Sequence, residues 1–303
     1  GECVALGIGD DCALLQVPAG EQLAISTDTL VAGVHFPESP EPFLLAQRAL
    51  AVSVSDLAAM GATPIGFTLA LTLPSAEPDW LATFARGLDR MAQYCAIRLI
   101  GGDTTRGPLS LTLSVFGRVP LGMALTRKGA QAGDLLCVGG ELGDAAGALP
   151  LVLGQRQADP AVAEPLLARY WSPMPQLELG LALRGKATAA LDISDGLLAD
   201  CGHIAAASAV ALIIEQAQVP LSAALLAFAG EPTARQCALT GGDDYRLAFT
   251  LPAAYLADLQ QAGWPVRVIG RVVAGAGVTL LDSQGQPVQL PRSGYQHFGS
   301  ASD

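Results

Sequence analysis

The chain has 303 residues, of which 51% are hydrophobic and 15% are charged, and its net charge is −11. A disordered chain needs low hydrophobicity and high charge, so this composition predicts a folded protein, and the length predicts two domains of about 100–200 residues each. The negative charge argues against binding to nucleic acid or to an anionic membrane, because both require clustered basic residues. A membrane span needs about 20 consecutive apolar residues, and the sequence contains no run of that length.

The start of the chain and the cysteines indicate a cellular compartment. Gly1-Glu2-Cys3-Val4 contains no basic segment of the kind that begins a signal peptide. The six cysteines are scattered and form no CxxC pair, which argues against zinc ribbons and dithiol redox motifs. We therefore expect reduced, mostly buried thiols in a cytoplasmic protein.

Strand and helix patterns alternate through the first 118 residues. Alternate residues from Ile65 to Leu73 are large and apolar, which is typical of a strand, whereas the apolar residues from Leu81 to Cys95 recur every three or four positions, as in a helix. Strands are predicted at Cys12–Val17, Gln22–Ser26, Ile65–Leu73, Arg98–Ile100 and Leu109–Val115, and helices at Pro42–Met60 and Leu81–Cys95.

The pattern breaks between Arg118 and Lys128, where Pro120 and Gly122 interrupt it, so the predicted domains are residues 1–119 and 120–303. The second half again mixes strands and helices, and we expect a two-domain α/β protein. Strands are predicted at Leu135–Val138, Ala189–Ile193, Ala211–Ile214, Tyr245–Leu251, Val266–Ile269 and Val278–Leu281, and helices at Leu197–Ser208, Leu221–Ala229 and Ala253–Ala262.

Nine carboxylates fall in short junctions rich in Gly, Ser and Thr. Most of them follow a predicted strand, and ligands bind at the carboxyl ends of strands in open α/β sheets. Carboxylates that converge on one cleft repel each other unless cations lie between them, and the accompanying donors are oxygens such as Ser26, Thr27, Thr104 and Ser194, which suit Mg²⁺ or Ca²⁺. The nine are Asp10, Asp11, Asp28, Asp56, Asp103, Asp192, Asp195, Asp243 and Asp244.

Each of these carboxylates has a structural alternative, since Asp readily caps turns and helices. Asp56 is the strongest candidate for a ligand because Leu45, Ala49, Val52 and Asp56 follow one another by four, three and four residues. This spacing places the carboxylate on the predicted buried face of its helix, where a charge without a partner is costly. We favour a ligand role for Asp56 over a buried ion pair.

Two basic or titratable positions are also open to two interpretations. His35, directly after the predicted junction at Ser26–Asp28, is either structural or functional. Arg127 and Lys128 form either a solvated turn between domains or a clamp for phosphate. The stretch from Gly180 to Ala187 approaches a P-loop but lacks its final Ser or Thr and follows a helical pattern, so we reject that interpretation.

Taken together, these junctions resemble the thiamine-monophosphate kinase family, and the match runs in order from Gly7 to Phe298. The wider superfamily includes aminoimidazole ribonucleotide synthetase and selenophosphate synthetase. The motifs that carry the resemblance are Gly7-Ile8-Gly9-Asp10-Asp11, Ser26-Thr27-Asp28-Thr29-Leu30-Val31-Ala32-Gly33-Val34-His35-Phe36, Ser55-Asp56-Leu57-Ala58-Ala59-Met60-Gly61, Gly101-Gly102-Asp103-Thr104-Thr105-Arg106-Gly107, Leu125-Thr126-Arg127, Asp192-Ile193-Ser194-Asp195-Gly196-Leu197 and Gly294-Tyr295-Gln296-His297-Phe298.

The resemblance implies a two-domain fold of the aminoimidazole-ribonucleotide-synthetase type and a homodimer built on the sheets of the N-terminal domain. It implies ATP-dependent phosphorylation of thiamine monophosphate to thiamine diphosphate with several Mg²⁺ ions. Carried over by position, the implied Mg²⁺ ligands are Asp11, Ser26, Thr27, Asp28, Asp56, Asp103, Asp192 and Asp195. The implied ATP contacts are Gly102, Asp103, Arg127 and Ser194, and the implied substrate contacts are His35, Asp243 and Tyr295.

The chain departs from the family at Asp243, where the family usually has Glu, so the implied substrate contact is one methylene shorter. We expect direct in-line transfer, because no Ser, His or Asp stands out as a nucleophile with an activating base. Two alternatives stay open at this point: a superfamily enzyme that uses another acceptor, and a non-catalytic protein that kept the fold. The intact acidic junctions argue against the second alternative.

Overall fold

The structure is a computed structural model that describes residues 3–288. The chain divides into two compact units. The first consists of the residues up to Ala124 together with Trp171–Leu181, and the second of Leu125–Tyr170 and the residues from Ala182 onward. The first boundary lies five residues beyond the predicted one, and the return of Trp171–Leu181 to the first unit has no counterpart in the prediction.

The first unit is built on a four-stranded sheet in the order β3-β6-β4-β5, in which β4 and β5 are parallel and the other pairs antiparallel. A separate two-stranded ribbon of β1 and β2 precedes it. The strands are β1 (Val4–Leu6), β2 (Leu14–Leu15), β3 (Glu21–Val31), β4 (Thr63–Leu73), β5 (Leu99–Arg106) and β6 (Ser110–Pro120). The helices are α1 (Pro42–Ala59) and α2 (Pro78–Tyr94).

Helix α1 packs against the sheet and against α2. Gly87 of α2 allows the close approach of the two helices, because a Cβ there would lie 2.2 Å from the Phe43 carbonyl oxygen of α1. Most of α1 is buried, including residues on all of its sides. A helix that is apolar all round lies inside a core. The sequence argument assumed that the apolar stripe ending at Asp56 marks the one buried face of α1. Because α1 is buried on all sides, the stripe does not mark such a face.

Two predicted junctions are strand interiors. The strand predicted to end at Ser26 continues to Val31, so Ser26, Thr27 and Asp28 lie within β3. The strand predicted to end at Ile100 continues to Arg106 and includes Asp103. The expectation that these carboxylates follow strand ends was wrong for Asp28 and Asp103, because polar residues on a half-exposed strand keep the period of two without an apolar side chain at each inward position.

The second unit is built on a seven-stranded sheet in the order β13-β12-β9-β11-β7-β10-β8, in which only the β9–β12 pair is parallel. Its strands are β7 (Leu135–Val138), β8 (Ala189–Asp192), β9 (Ala211–Glu215), β10 (Leu247–Leu251), β11 (Arg267–Val273), β12 (Gly277–Leu281) and β13 (Pro287–Val288). The remaining helices of the described chain are α3 (Asp144–Val152), α4 (Pro160–Trp171), α5 (Leu177–Leu183), α6 (Leu197–Ser208), α7 (Ala223–Ala229), α8 (Glu231–Thr240) and α9 (Leu256–Gln261).

The two-domain α/β fold is confirmed, but four helices of the second half were not predicted: α3, α4, α5 and α8. Two of them contain an internal proline, Pro150 in α3 and Pro165 in α4, and proline normally argues against a helix. The helix predicted over Ala253–Ala262 is a 3₁₀ turn at Ala253–Tyr255 followed by α9. Short Pro- and Gly-containing helices depend on tertiary packing more than on local propensity.

All six cysteines are free, and Cys95, Cys137 and Cys201 are buried in the interior. Burial raises the pKa of Cys95 and of Cys137 to about 12. Cys3 is also buried and Cys12 is exposed, so the expectation that most of the thiols are buried is confirmed. Within residues 3–288, no helix combines the length and the apolar character that crossing a bilayer requires.

The end of α6 offers a test of backbone strain. Ala209 caps the helix with φ 54°, in the left-handed region that disfavours residues with a Cβ. We expect Ala209→Gly to raise the free energy of unfolding by about 0.5–1 kcal/mol, because glycine relieves this strain but loses more backbone entropy on folding. Ala206→Gly, the same change within the helix, should instead lower it by about 1 kcal/mol. Urea denaturation measures both, and equal signs would contradict this assignment.

Candidate active site

The first group of predicted site residues lies where β3 faces α1. Ser26 and Asp28 are two residues apart on β3, so their side chains share one face of the sheet. The Ser26 hydroxyl donates a hydrogen bond to Asp56 of α1, and Ser53 of the same helix, whose hydroxyl donates to the Ala49 carbonyl oxygen at 3.1 Å, lies next to the Asp28 carboxylate. The structure therefore brings Ser26, Asp28 and Asp56 together, and it provides the Asp56 carboxylate with the partner that the sequence did not reveal.

The electrostatics of this group are those of crowded carboxylates. Burial and, next, the negative charge of Asp56 raise the pKa of Asp28 to about 6, against the lowering effect of the Ser53 hydroxyl. Sequence reasoning missed Ser53, which is fully buried on α1. Desolvation and a second negative charge both disfavour the ionised carboxylate, and a bound cation would offset both effects.

Three other predicted metal ligands lie elsewhere in the first unit. The Thr27 hydroxyl is on the opposite face of β3, where it pairs with Ser114 at 2.8 Å. Asp103 lies on β5, and β3 and β5 are the two edges of the sheet, three strand spacings or about 14 Å apart. Asp11 is exposed in the loop before β2, where its backbone N–H donates to the Asp10 carboxylate at 2.9 Å.

Gly102, a predicted ATP contact, has a conformation that requires glycine. Its φ is 152°, and a Cβ at this position would lie 2.1 Å from the Leu69 carbonyl oxygen of the neighbouring strand. Any side chain here would be strained by the backbone conformation and by the clash with β4. The glycine therefore fixes the path of β5 immediately before Asp103.

His35 is held in the loop between β3 and α1. Its Nδ1 accepts the Val31 N–H at 3.0 Å, and its carbonyl oxygen accepts a hydrogen bond from the buried Arg48 at 3.3 Å. Since Nδ1 is an acceptor, the neutral ring carries its proton on Nε2. The imidazole therefore presents an N–H donor on the side away from Val31.

The second group of predicted site residues lies at the end of β8, an edge strand of the seven-stranded sheet. Asp192 ends the strand and is buried, and Ser194 and Asp195 follow in the loop before α6. One oxygen of Asp200, Oδ2, accepts three consecutive backbone N–H groups, from Ser194 at 3.0 Å, Asp195 at 3.0 Å and Gly196 at 3.1 Å. Burial raises the pKa of Asp200 to about 6, although these hydrogen bonds lower it.

The loop Gly241–Tyr245 lies directly beside this turn. The Asp243 N–H donates to the Ser194 carbonyl oxygen at 2.9 Å, and the Tyr245 N–H donates to the Ile193 carbonyl oxygen at 2.8 Å. The Tyr245 hydroxyl contacts Asp243 Oδ1 at 3.1 Å. The structure therefore brings the predicted substrate residue Asp243 next to the predicted ligands Ser194 and Asp195.

A further carboxylate anchors the same loop from the other side. Both oxygens of Asp244 accept the Gly143 N–H, at 2.8 and 2.9 Å, directly before α3. Burial raises the pKa of Asp244 well above its usual range, against the lowering effect of this contact. The sequence singled out Asp244 as acidic but gave it no role, and it missed Asp200, whose only signal is an acidic residue one turn into a helix that begins after glycine.

Arg127 lies beside the β8 edge. The preceding residue, Thr126, accepts the Ala190 N–H at 2.8 Å, and the Arg127 carbonyl oxygen accepts a hydrogen bond from Ser208 at 3.1 Å. The Arg127 side chain is exposed. The backbone is thus fixed while the guanidinium extends into solvent.

Within residues 3–288, no three Asp, Glu, His or Cys side chains are grouped closely enough to hold a metal ion. Tyr295, the third predicted substrate contact, lies outside the described residues. A cavity of about 630 Å³ between α2 and the start of β5, lined by residues such as Leu88, Gln93 and Arg98, contains none of the predicted site residues.

Comparison with known proteins identifies the family. Residues 9–119 match the N-terminal domain and residues 131–283 the C-terminal domain of AIR synthase related proteins. The chain is 47% identical to thiamine-monophosphate kinase of Escherichia coli K12 over 302 residues, which cover 98% of this chain and 93% of that protein.

Solved structures agree with this result. Thiamine-monophosphate kinase from Stenotrophomonas maltophilia K279a superposes with a TM-score of 0.88 at 47% identity and covers 95% of this chain and 93% of its own. AaThiL complexed with AMPPCP and TMP superposes with a TM-score of 0.84 at 29% identity. The superposition covers 93% of this chain and 89% of AaThiL. The chain therefore belongs to the thiamine-monophosphate kinase family of enzymes.

Proposed function

We propose that the protein transfers the γ-phosphoryl group of ATP to thiamine monophosphate, which yields thiamine diphosphate and ADP. The observation that carries this proposal is the similarity over nearly the full chain to thiamine-monophosphate kinases, one relative of which was solved with AMPPCP and TMP together. The two alternatives, a relative with another acceptor and a non-catalytic protein, make different predictions for ADP release.

Acceptor selectivity tests this proposal. ADP release is measured with Mg²⁺-ATP and, in parallel, thiamine monophosphate, thiamine or no acceptor. We expect ADP release that depends on thiamine monophosphate. Release only with a different phosphate or acyl acceptor would support the superfamily alternative, and nucleotide binding without turnover would support the non-catalytic one.

For Mg²⁺, the donors Ser26, Asp28 and Asp56 fit a hard divalent cation, because they are oxygens and two of them are neighbouring carboxylates. When bound, Mg²⁺ would neutralise phosphate charge and help to order the donor and acceptor phosphates. We assign further Mg²⁺ ligands by position to Asp11, Asp103, Asp192 and Asp195. Thr27, whose hydroxyl pairs with Ser114 on the opposite face of β3, would join the first group only through its backbone carbonyl oxygen. With two carboxylates at the first group, the protein leaves coordination positions for phosphate oxygens and water.

We assign the ATP contacts to Gly102, Asp103, Arg127 and Ser194. The Ser194 N–H already donates to Asp200, so its contact with ATP would come from the hydroxyl. Arg127 offers an exposed guanidinium on a fixed backbone, which suits bidentate binding of phosphate. Gly102 would contact ATP through its backbone, because the position of a Cβ is taken by the Leu69 carbonyl oxygen of β4.

We assign the substrate contacts to His35, Asp243 and Tyr295. The Nε2–H of His35 would donate to a phosphate oxygen of thiamine monophosphate, because Nδ1 is occupied by Val31. The acceptor oxygen is already ionised at neutral pH, so no general base is required. We propose direct in-line transfer without a phosphorylated enzyme, in which the residues of the chain hold the two phosphates in line.

The oligomeric state is part of the proposal, and we assign a homodimer built on the four-stranded sheet. One face of the sheet packs on α1, whereas the other exposes apolar side chains of β3: Ile25 is 60% exposed and Leu23 is 40% exposed. The same face carries the paired hydroxyls of Thr27–Ser114 and Thr29–Thr112. A face with exposed apolar side chains and paired hydroxyls is suited to burial against the same face of a second copy.

Ile25→Asp tests the homodimer. We expect the dissociation constant to rise by at least about 100-fold, because a buried charge without a partner costs several kcal/mol. Leu153→Asp, at a similarly exposed apolar position in the second unit, is the matched control and should leave assembly unchanged. Sedimentation equilibrium measures both, and dimerisation of Ile25→Asp with wild-type affinity would refute this interface.

A further inference from the structure

The backbone around Ser194 has an unusual internal ligand. Three consecutive N–H groups, those of Ser194, Asp195 and Gly196, converge on Asp200 Oδ2. Successive N–H groups that point to one place form a concavity that binds anions, as phosphate-binding loops do. Here the anion is supplied by the chain itself, from the first turn of α6, where the helix dipole also favours a negative charge. These N–H groups are therefore occupied and leave only side chains and carbonyl oxygens for ligands.

The carbonyl side of the same turn holds the second loop. The Ile193 and Ser194 carbonyl oxygens accept the N–H groups of Tyr245 and Asp243. No side chain separates the two backbones, because a Cβ on Gly242 would lie 2.3 Å from the Ser194 carbonyl oxygen. The turn thus receives hydrogen bonds from the Gly241–Tyr245 loop on one side and donates hydrogen bonds to Asp200 on the other.

The second loop is strained and depends on these bonds. Asp243 and Tyr245 have φ values of 70° and 49°, in the left-handed region that residues with a side chain rarely adopt. Such conformations persist only where the surroundings determine them, and both residues donate their N–H to the turn that Asp200 organises. Loss of the Asp200 carboxylate would therefore release both the turn and the strained loop.

We propose that Asp200 is a positioning residue that sets the geometry of two segments at once, the Ser194–Asp195 turn and the loop that carries Asp243. The proposal rests on the proposed kinase function, in which the turn serves Mg²⁺ and ATP and the loop serves thiamine monophosphate. A positioning residue acts through other groups, so its loss should weaken the use of both substrates. Loss of Asp243 itself should affect one substrate only.

The experiment compares Asp200→Ala and Asp200→Asn with the wild type. Asn keeps an acceptor oxygen but carries no charge, so the activity of Asp200→Asn should lie between that of the wild type and that of Asp200→Ala. We expect kcat/KM for ATP and for thiamine monophosphate to fall together, by about 10- to 100-fold in Asp200→Ala and by less in Asp200→Asn, as is typical when a supporting side chain of a metal site is removed.

Asp134→Asn is the matched control. Asp134 is also buried, and it accepts the Gln131 N–H at 2.9 Å and the Thr188 hydroxyl at 2.6 Å, next to the opposite end of β8. This variant should lower the melting temperature but leave both KM values within about twofold of the wild type. A merely structural role of Asp200 would give the same pattern in the Asp200 variants, at temperatures where they are folded, and would overturn the proposal.

Amide hydrogen exchange provides a readout that does not depend on activity. In Asp200→Ala, or in Asp200→Asn if the alanine variant does not fold, the amides of Ser194–Gly196 and of Asp243 and Tyr245 should exchange faster, while those of β8 remain protected. Unchanged exchange in the second loop would refute the positioning role, even if the wild type proved to use another acceptor. If the variant exchanges faster but the wild type shows no turnover of thiamine monophosphate, the positioning role is retained and the proposed function is rejected.

Discussion

Asp28→Asn is expected to remove nearly all kinase activity while making the metal-free protein more stable at neutral pH. Activity should fall by more than the 10- to 100-fold that is typical when a side chain supporting a metal ligand is removed, because this substitution removes a proposed Mg²⁺ ligand itself. Stability should rise because the charge of Asp28 is unfavourable in the folded protein, where burial and then Asp56 raise its pKa from 3.8 to about 6.

The sign of the pH dependence follows from this raised pKa. Between about pH 4 and pH 6 the folded protein holds a proton that the unfolded chain has released, so the free energy of unfolding falls as the pH rises through this range. The unfavourable contribution is fully present above pH 6 and absent below pH 4. The stability difference between Asp28→Asn and the wild type should therefore be largest at neutral pH and disappear under acid conditions.

Thermal melting with and without Mg²⁺ measures this prediction. Mg²⁺ should raise the melting temperature of the wild type in a concentration-dependent manner, because it binds the folded site and hardly the unfolded chain, and it should do so less in Asp28→Asn and Asp56→Asn. Asp89→Asn, at an exposed position on α2, is the control for removal of one negative charge. Variants of Asp28 or Asp56 that are destabilised yet fully active would remove this pair from the proposed metal site.

Asp243→Asn is expected to raise KM for thiamine monophosphate by about 10-fold or more and to leave KM for ATP nearly unchanged. The thiazolium ring of the substrate is positively charged, and a hydrogen bond or contact with a charged group contributes about 1.5–3 kcal/mol. Asn is the appropriate substitution because φ at this position is 70°, which Asn tolerates and Ala does not.

Steady-state kinetics with each substrate varied in turn measures this change. Asp243→Glu is the companion variant, since it keeps the charge and restores the length that is usual in the family, and it should retain a low KM for thiamine monophosphate. A rise in KM for ATP alone would reassign Asp243 to the nucleotide. A parallel rise in both values would indicate loss of loop geometry, as expected for Asp200, and not loss of a substrate contact.

Local patterns predicted the α/β class and most strands because period-two and period-3.6 signals depend on near neighbours. Strand lengths were harder to predict, and Asp28 and Asp103 show the consequence. Both were expected at strand ends on one cleft, but they lie within β3 and β5 at opposite edges of a sheet. The order of strands in a sheet is a long-range property that no local pattern contains.

Some of the site residues could be predicted from the sequence, and others could not. The resemblance to the family implied roles for Ser26, Asp56 and Asp243 by position. It did not indicate Asp200, whose role depends on three N–H groups that converge only after the turn has folded. It also missed Ser53, which a sequence presents as an ordinary small residue in a helix, although it reaches Asp28 on another element.

Transfer of label from γ-³²P-ATP tests the central claim most directly. The protein is incubated with labelled ATP, Mg²⁺ and thiamine monophosphate, and the products are separated and identified. Direct transfer predicts that the label appears in the terminal phosphate of thiamine diphosphate, in a one-to-one ratio to ADP, with no label retained on the protein after acid quenching. Labelled inorganic phosphate with no labelled thiamine diphosphate, or label that remains covalently bound to the protein, would contradict the proposed reaction.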